Sequence, residues 1–486
     1  MNAPLEVKTG THGVPVTHRQ AIHRLVWRWH FYAGLFCLPF IVWLSITGMI
    51  YLFKPQLEPL LERRYAHVTT GLPQAASAQV AAALHAVPGG VLNAYELPTS
   101  PGAATRVLIG KGPEIIRVFV DPSSLRVLHL VGESDRFMRV IFYLHGELLL
   151  GTAGSMLVEL AASWTILMLL SGLYLWWPRQ RRLAGVFYPR LGQGSRTFWR
   201  DIHAVTGVWV SCFALFLLVS GLPWSKSWGG MLQALRQGTT THPVTTQDWS
   251  IGSAHDRATA ALQNAPARPL PPASVPASMH RSSMPGMSMP GDADTAAAGA
   301  DYTAIDRLLP GVLAQRLAAP VLIAPPSRFA ATWTARSEVA DRPLRAELVL
   351  DGASGAVITR TDFAQHPLLD RIIGYGVAIH EGQLFAPLNQ LFGVFTALGM
   401  ITLSASAVVL WWRRRPAGYL GAPSAHPGVR YPRVLIGLLL LLGVLLPLLG
   451  TSMVIVLLLE RLVLARMERA RRFLGLGASR HRGMLR

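Results

Sequence analysis

The stretch IHAVTGVWVSCFALFLLVSGL, residues 202–222, has the length and composition of a membrane-spanning helix, but a histidine, His203, stands at its start. An earlier apolar stretch, WHFYAGLFCLPFIVWLSITGM at 29–49, begins in the same way with His30. In both stretches a glycine follows the histidine after four residues and another after eighteen. The shared pattern predicts two equivalent helices whose histidines have one role in common.

The composition of the chain is that of a membrane protein. Of 486 residues, 51% are hydrophobic and only 15% are charged, which is too apolar for an ordinary solvated surface. A helix needs about 20 apolar residues to cross a bilayer. Five stretches meet that length, near residues 31–53, 155–177, 203–223, 388–412 and 434–459.

Basic residues cluster beside these apolar stretches, most clearly in WWPRQRR at 176–182 and WWRRRP at 411–416. Basic loops are retained in the cytoplasm, so we expect the loops that follow both motifs to lie inside, together with the N-terminus. The two long segments, 54–154 and 224–387, then lie outside. The net charge of +19 is explained by the lipid bilayer as a partner, and nucleic acid is not expected.

The second and fourth stretches repeat each other as well. His145 precedes a tryptophan pair by 31 and 32 residues, and His380 precedes another pair by the same distances. In this register Ser171 aligns with Ser406. Each half therefore reads helix, outside segment, histidine, helix, tryptophan pair and basic loop. Because each half crosses the membrane twice, the sequence predicts two parallel-oriented repeats related by an axis along the membrane normal.

The outside segments carry matching β-type elements. IIRVFVDPSSLRVLHL at 115–130 and AELVLDGASGAVITR at 346–360 are apolar runs around a turn that contains Asp with Pro, Ser or Gly. Both are predicted to form hairpins in small α+β modules, one in each outside segment. Residues 263–300 are rich in Pro, Ala, Ser and Gly and are typical of a flexible insertion.

The last apolar stretch, 434–460, is predicted to be a C-terminal hydrophobic helix, but its topology has two readings. A fifth crossing would export the arginine-rich tail 461–486, against the positive-inside tendency. Alternatively, Pro447 and Gly450 break the stretch into a hairpin whose halves are too short to cross. The side of the C-terminus stays open.

The sequence thus predicts a mainly α-helical membrane protein with eleven segments. They are a cytoplasmic N-terminal segment 1–24, transmembrane helix 1 at 25–54, outside module 1 at 55–140, a histidine segment with transmembrane helix 2 at 141–178, a basic loop 179–201, transmembrane helix 3 at 202–224, outside module 2 at 225–373, a histidine segment with transmembrane helix 4 at 374–413, a basic loop 414–433, hydrophobic helix 5 at 434–460 and the tail 461–486.

The repeat axis brings equivalent histidines together at equal depth. His30 and His203 are expected to meet near the cytoplasmic face, and His145 and His380 near the outer face. Two imidazoles that face each other across an apolar space suit the axial positions of haem iron. Zinc fits worse because no further cysteine or carboxylate accompanies either pair. His23, seven residues before His30, is the rival ligand, but it has no counterpart in the second half.

The spacing of these sites predicts electron transfer across the membrane. His30 and Tyr51 are 21 residues apart, on the order of 30 Å along a helix, so two haems would lie at opposite faces. Gly34, Gly48, Gly207 and Gly221 admit either a flat macrocycle or a close helix contact. Glu159, an acid within the second stretch, has three readings: proton handling, pairing with an arginine, or simple solvation near the outer end.

A methionine-rich motif, SMHRSSMPGMSMPGD, lies in the flexible insertion. Thioether and imidazole groups are ligands that Cu(I) prefers, so a copper contact is a candidate alongside low-complexity drift. The candidate metal ligands are Met279, His280, Met284, Met287 and Met289.

The chain resembles the PepSY-associated transmembrane family, the iron-regulated membrane proteins that include ferric-siderophore reductases. The motifs that carry the resemblance cover most of the chain: WHFYAGLFCLPFIVWLSITGMIYLFKP, LHGELLLG, SGLYLWWPR, VDPSSLRVL, WRDIHAVTGVW, LDGASGAVI and AIHEGQLF. The resemblance implies periplasmic PepSY modules and two b-type haems held by membrane histidines. Carried over by position, those ligands are His30, His145, His203 and His380.

The resemblance also implies a function: an oxidoreductase of the bacterial inner membrane that acts on metal ions and reduces ferric siderophores or other metal chelates in the periplasm. Its electron donor would be a separate cytosolic flavin system or a membrane quinol, because GQGSR at 192–196 lacks the features of a dinucleotide site. Two alternatives remain, a copper-handling protein or cupric reductase on the same scaffold and a haem-free PepSY docking or regulatory protein.

Overall fold

The computed structural model describes residues 17–177, 183–239, 302–326, 332–423 and 431–476. The chain divides into two compact units. The helical unit consists of Met1–Val42, Leu160–Leu215 and Gly399–Arg486. The sheet unit consists of Trp43–Glu159 and Phe216–Leu398. The methionine-rich motif and the insertion 263–300 lie outside the described residues.

The secondary structure follows the apolar pattern of the sequence. The described helices are α1 (His18–Leu52), α2 (Lys54–Leu61), α3 (Ala76–Ala86), α4 (Phe137–Glu147), α5 (Gly151–Trp176), α6 (Gly194–Gly221), α7 (Lys226–Thr239), α8 (Ala304–Ala314), α9 (Leu368–His380), α10 (Leu388–Arg414), α11 (Arg433–Leu445), α12 (Pro447–Leu462) and α13 (Glu468–Leu474). The described strands are β1 (Val91–Glu96), β2 (Thr105–Lys111), β3 (Glu114–Val120), β4 (Val127–Gly132), β5 (Val321–Ala324), β6 (Trp333–Ser337), β7 (Ala346–Leu350) and β8 (Val357–Asp362).

Within the described part of the chain, four helices are long and apolar enough to cross a membrane. They correspond to the first four predicted spans. Their bounds are His18–Leu52, Gly151–Trp176, Gly194–Trp224 and Leu388–Arg414. The α-helix satisfies every backbone hydrogen bond within the segment, which is what a lipid environment requires.

The fifth apolar stretch forms two helices, α11 and α12, in place of the single helix predicted over 434–460. The break lies at Leu446, whose φ of −124° and ψ of 84° are outside the helical region because Pro447 follows it. The turn is tight. A Cβ on Gly450 would lie 2.5 Å from the carbonyl oxygen of Gly443, so only a glycine fits there. This geometry agrees with the hairpin reading of the sequence.

The segments 54–154 and 224–387, predicted to lie outside, do not form separate modules. Their strands build one antiparallel sheet in the order β4-β3-β2-β1-β5-β6-β7-β8. Strands β1 and β5 join the two halves by pairing Tyr95 with Ile323 and Glu96 with Leu322. Both predicted hairpins are present as β3–β4 and β7–β8. Joining β1 to β5 leaves the sheet with two outer edges, where two separate sheets would have had four.

One face of the sheet carries the apolar core. Helices α3 and α8 cover this face, and side chains such as Val80, Ile109, Ile305 and Leu348 are fully buried between helix and sheet. The alternation of inward and outward residues along each strand places these side chains on one side. The β3–β4 turn is closed by Asp121, whose carboxylate accepts hydrogen bonds from the backbone of Ser123 and Ser124, and Asp351 accepts in the same way from Ala353 and Ser354 in the β7–β8 turn.

An ion-pair network occupies another part of the first half of the sheet unit. The Arg117 guanidinium bonds Glu96 on β1 and Glu133 after β4, at 2.8 Å each. Glu133 also accepts from Arg136 at 2.7 Å, just before α4 begins. Arg136 in turn reaches Glu58 on α2 at 3.0 Å. The network therefore fixes the start of α4 to α2 and to the sheet.

Candidate functional site: two histidine pairs

The helical unit brings the rings of His30 on α1 and His203 on α6 together in an edge-on arrangement. Their ring centroids are 6.4 Å apart and the ring planes are inclined by 84°. The ring beside His203 is that of His30, so the rival position His23 is not the one that forms this pair. The pairing follows from the position of both histidines near the start of equivalent apolar helices.

Each imidazole of this pair is held by the neighbouring span in the same way. His30 Nδ1 lies 3.0 Å from the Met168 carbonyl oxygen and 3.1 Å from Ser171 Oγ on α5. His203 Nδ1 lies 3.2 Å from the Leu403 carbonyl oxygen, and Ser406 Oγ on α10 lies at 3.1 Å. A carbonyl oxygen only accepts, so Nδ1 carries the proton in both rings.

The sheet unit contains the second pair, His145 of α4 and His380 of α9. Their centroids are also 6.4 Å apart, with an interplanar angle of 74°. His145 Nδ1 lies 3.1 Å from Thr47 Oγ1, and His380 Nδ1 lies 3.0 Å from Ser220 Oγ. Thr47 and Ser220 occupy corresponding positions near the ends of α1 and α6, one residue before Gly48 and Gly221.

The hydroxyl groups fix the tautomer of this second pair. Thr47 Oγ1 donates to the carbonyl of Trp43, and Ser220 Oγ donates to that of Phe216. Each hydroxyl therefore accepts from an imidazole Nδ1–H, which leaves Nε2 without a proton. Among the residues that the structure describes, no hydrogen bond reaches Nε2 of any of the four histidines. The nitrogen that a metal would need is free in both pairs.

Burial keeps the second pair neutral. It lowers the pKa of His145 to about 4, with a further lowering by the charge of His380 when that ring is protonated. It also lowers the pKa of His380. Both rings are therefore neutral near pH 7, the state in which imidazole binds a metal ion.

Glycines make room for three of the four imidazoles. A Cβ on Gly48 would lie 2.9 Å from Cε1 of His145, and one on Gly172 would lie 3.0 Å from Cε1 of His30. A Cβ on Gly221 would lie 3.3 Å from Cε1 of His380. By contrast, Cβ atoms on Gly34 and Gly207 would make ordinary contacts at 3.7 and 3.5 Å with side chains of neighbouring spans. The four glycines of the repeat thus separate into two that seat imidazoles and two that pack helices.

The spacing of each pair fits one metal ion between two imidazoles. An imidazole nitrogen lies about 2 Å from a bound first-row metal ion, and the ring centre lies roughly 1.1 Å behind that nitrogen, so two opposed rings would have centres about 6.2 Å apart. Both observed separations are 6.4 Å. Among the described residues, no group of three or more His, Cys, Asp or Glu side chains could hold a metal ion, so each site offers two imidazole donors, a set that suits haem iron.

The tryptophan pairs anchor the basic loops rather than the histidines. Trp176 Nε1 donates to the Val186 carbonyl and Trp411 Nε1 donates to the Leu420 carbonyl. The second member of each pair, Trp177 or Trp412, is exposed. This division suits an interfacial anchor, which keeps one ring against the protein and one at the membrane surface.

Glu159 has a structural partner that sequence reasoning missed. Its buried carboxylate accepts hydrogen bonds from the backbone N–H groups of Ser227 and Trp228, at 2.9 and 3.3 Å. These are the first N–H groups of α7, which lack partners inside their own helix. Neither an arginine nor bulk solvent is the partner; the carboxylate caps a helix. The signal was absent because α7 follows the third span and was not predicted.

In the part of the chain that the structure describes, four apolar spans, an antiparallel sheet and two histidine pairs define a membrane protein. The PepSY-associated TM region family matches residues 27–414, and the chain belongs to that family. The match includes all four paired histidines. A comparison with curated proteins finds no match.

Proposed function

We propose that the protein is a transmembrane metalloreductase that holds two b-type haems, one on each histidine pair. The observation that carries the proposal is the shared geometry of the pairs. Each has a centroid separation of 6.4 Å, an Nδ1 held by a hydroxyl group, and an Nε2 without a hydrogen bond among the described residues. His30 and His203 would bind one haem, and His145 and His380 the other.

When bound by these histidines, a haem would supply one-electron redox chemistry. The chain contributes the ligands, their tautomers and apolar walls. Ser171, Ser406, Thr47 and Ser220 orient the imidazoles, and hydrogen bonding to Nδ1–H raises the basicity of each ligand. No side chain of either pair acts as a nucleophile or a proton donor in this proposal.

The substrate would be a ferric chelate, such as a ferric siderophore, on the side of the sheet unit. Siderophores hold Fe(III) through hard oxygen donors and hold Fe(II) far more weakly, so the arrival of one electron releases the metal. The arginine-rich sequence after each tryptophan pair supports a cytoplasmic location for the loops that follow them. We therefore assign the protein to a bacterial inner membrane, with the sheet unit in the periplasm and a separate electron donor in the cytosol or among the quinols.

The direct test is the visible spectrum of protein purified from haem-replete cells. We expect a reducible bis-histidine spectrum and about two haems per chain. Protein reduced with dithionite should be reoxidised by a ferric siderophore. A Cu(II) chelate should not reoxidise it. Reoxidation by Cu(II) alone would favour the copper-handling alternative, and a colourless preparation would favour a haem-free docking or regulatory protein.

A further inference from the structure

A layer of three aromatic rings lies next to the His145–His380 pair in the sheet unit. Tyr51 and Trp224 stand four residues, about one helical turn, after Thr47 and Ser220, the hydroxyl partners of the two histidines. Phe142, three residues before His145 on α4, lies between them. Its ring centroid is 5.8 Å from that of Tyr51 and 5.8 Å from that of Trp224.

Each ring of this layer carries one cation. Lys54 Nζ lies 5.6 Å from the centre of the Tyr51 ring. Arg139 Cζ lies 5.0 Å from the centre of Phe142 and 5.2 Å from that of Tyr143. Arg342 Cζ lies 5.6 Å from the centre of Trp224. Three positive charges therefore gather around the edge of one histidine pair.

A nearby carboxylate does not fully engage Arg342. Glu381 is 3.9 Å from Arg342 Nε, too far for a hydrogen bond. That Nε is buried and has no hydrogen-bond partner among the described residues. A buried guanidinium nitrogen without an acceptor is costly, so Arg342 can accept an additional anion.

We propose that Lys54, Arg139 and Arg342 form a carboxylate-binding site for the two propionate groups of the haem held by His145 and His380; this rests on the proposed function. A haem is apolar over most of its surface and anionic along one edge. The layer offers both matching elements, aromatic rings and cations, one helical turn beyond the groups that orient the imidazoles. Arginine is also the side chain whose planar fork best matches a carboxylate.

The test compares haemin with haemin dimethyl ester, which has the same macrocycle and iron but no propionate charge. The full-length His203→Ala variant, purified in detergent and depleted of haem, retains His145–His380 as its one complete pair. We expect it to bind haemin at least about tenfold more tightly than the ester, because charge-assisted hydrogen bonds are lost in the ester. Arg342→Gln or Lys54→Gln, added to this background, should reduce that ratio several-fold.

Two matched variants serve as controls. Arg342→Lys keeps the charge and should retain most of the preference for haemin. Arg360→Gln removes an exposed arginine on β8 that bonds Asp362, and it should leave the ratio unchanged. If Arg342→Gln and Lys54→Gln bind both compounds with the parent ratio, the proposal is wrong.

The same carboxylate chemistry could serve an anionic ferric chelate instead. In that case the variants would keep the haemin-to-ester ratio and slow the reoxidation of reduced protein by the chelate, a result that overturns the assignment to propionates. Failure of the parent to bind either haemin compound would contradict the proposed function itself. The two failures are therefore distinguishable.

Discussion

The two histidine pairs share their geometry and differ in their surroundings. Both have ring centroids 6.4 Å apart, and in both a hydroxyl group on a neighbouring helix accepts from Nδ1–H. The pair in the sheet unit lies near the layer of three aromatic rings, Tyr51, Phe142 and Trp224, and their cations. In the helical unit, the carboxylate of Asp201, two residues before His203, is buried and paired with Arg190 and Arg200.

On the proposed function, this comparison separates the groups that would bind a metal from those that would tune it. A hydroxyl group, a backbone carbonyl and small residues on the facing helix are enough to seat an imidazole. Charged residues near each histidine pair would then change the reduction potential and the affinity of the bound metal group without altering its ligands. Two sites with one ligand geometry can therefore differ in potential, as directional electron transfer requires.

Replacing one histidine at a time should give the largest effect, the loss of haem from one pair only. Both His380→Ala and His30→Ala are expected to lower haem content from about two to about one per chain, each by emptying its own site. Pyridine haemochrome assay against protein concentration measures the loss. His85→Ala, a change at an exposed position on α3, should retain both haems. Unchanged haem content in either variant would contradict the ligand assignment.

The ion-pair network offers a way to weaken the sheet unit alone. Arg117→Met leaves Glu96 and Glu133 without their shared partner, and breaking a buried pair in this way costs about 3–5 kcal/mol. We expect a lower urea midpoint for the β-sheet signal in circular dichroism. Arg360→Gln breaks an exposed pair and should cost under about 1 kcal/mol. Equal effects of the two changes would contradict a structural role for the network.

Lowering the pH should destabilise the sheet unit through protonation of Glu133. Burial opposes its ionisation, but Arg117 and Arg136 outweigh burial and lower the pKa of Glu133 to about 2. A carboxyl with a depressed pKa stabilises the fold above its unfolded pKa of about 4.3, and this contribution, about 3 kcal/mol, is lost as the pH falls towards 2. Urea midpoints should fall between pH 6 and pH 3 in the wild type and fall less in Glu133→Gln. If the urea midpoints of the wild type and Glu133→Gln fell equally with pH, the lowered pKa of Glu133 would not be the cause.

Glycine substitutions should act on one pair at a time. Gly48→Ala places a methyl group 2.9 Å from His145 Cε1, and Gly172→Ala places one 3.0 Å from His30 Cε1. Overpacking of this kind costs about 1–3 kcal/mol, so each variant should bind one haem roughly tenfold more weakly. Gly34→Ala, with its nearest contact at 3.7 Å, is the matched control. Haemin titration separates the sites; an equal loss in all three variants would argue against seating by glycine.

The smallest expected effect comes from the hydroxyl groups. Ser220→Ala removes one acceptor from His380 Nδ1, and Ser406→Ala removes one from His203 Nδ1. Each loss is worth about 1 kcal/mol and makes the imidazole a weaker electron donor, so the midpoint potential of the haem on that pair should rise. Redox titration monitored by absorbance measures it. A shift of the other haem in place of the expected one would contradict the assignment.

The sequence repeats contained most of the site. The intervals that relate His145 and His380 to the tryptophan pairs also align Ser171 with Ser406, and these serines hold His30 and His203. The first four apolar stretches likewise predicted the four spans. These features are local or periodic, so they leave a direct mark on the sequence.

Other features depend on contacts between distant residues and left no such mark. Glu96 and Leu322 pair to join two expected modules into one sheet, although more than two hundred residues separate them. Gly172 makes room for His30, but its counterpart in the second half, Ala407, is not a glycine, so the repeat gave no signal. The role of Glu159 depends on α7, a helix that follows the third span in the sequence and was not predicted.

The central claim is that two haems are each ligated by two imidazoles. Low-temperature electron paramagnetic resonance of the oxidised protein tests it most directly. The imidazole planes of the two pairs are inclined by 84° and 74°, and a haem iron held between such rings would have two d orbitals nearly equal in energy. The account therefore predicts two low-spin ferric signals, both strongly anisotropic, of which His380→Ala removes one. A high-spin spectrum, or the absence of any haem signal in protein from haem-replete cells, would contradict it.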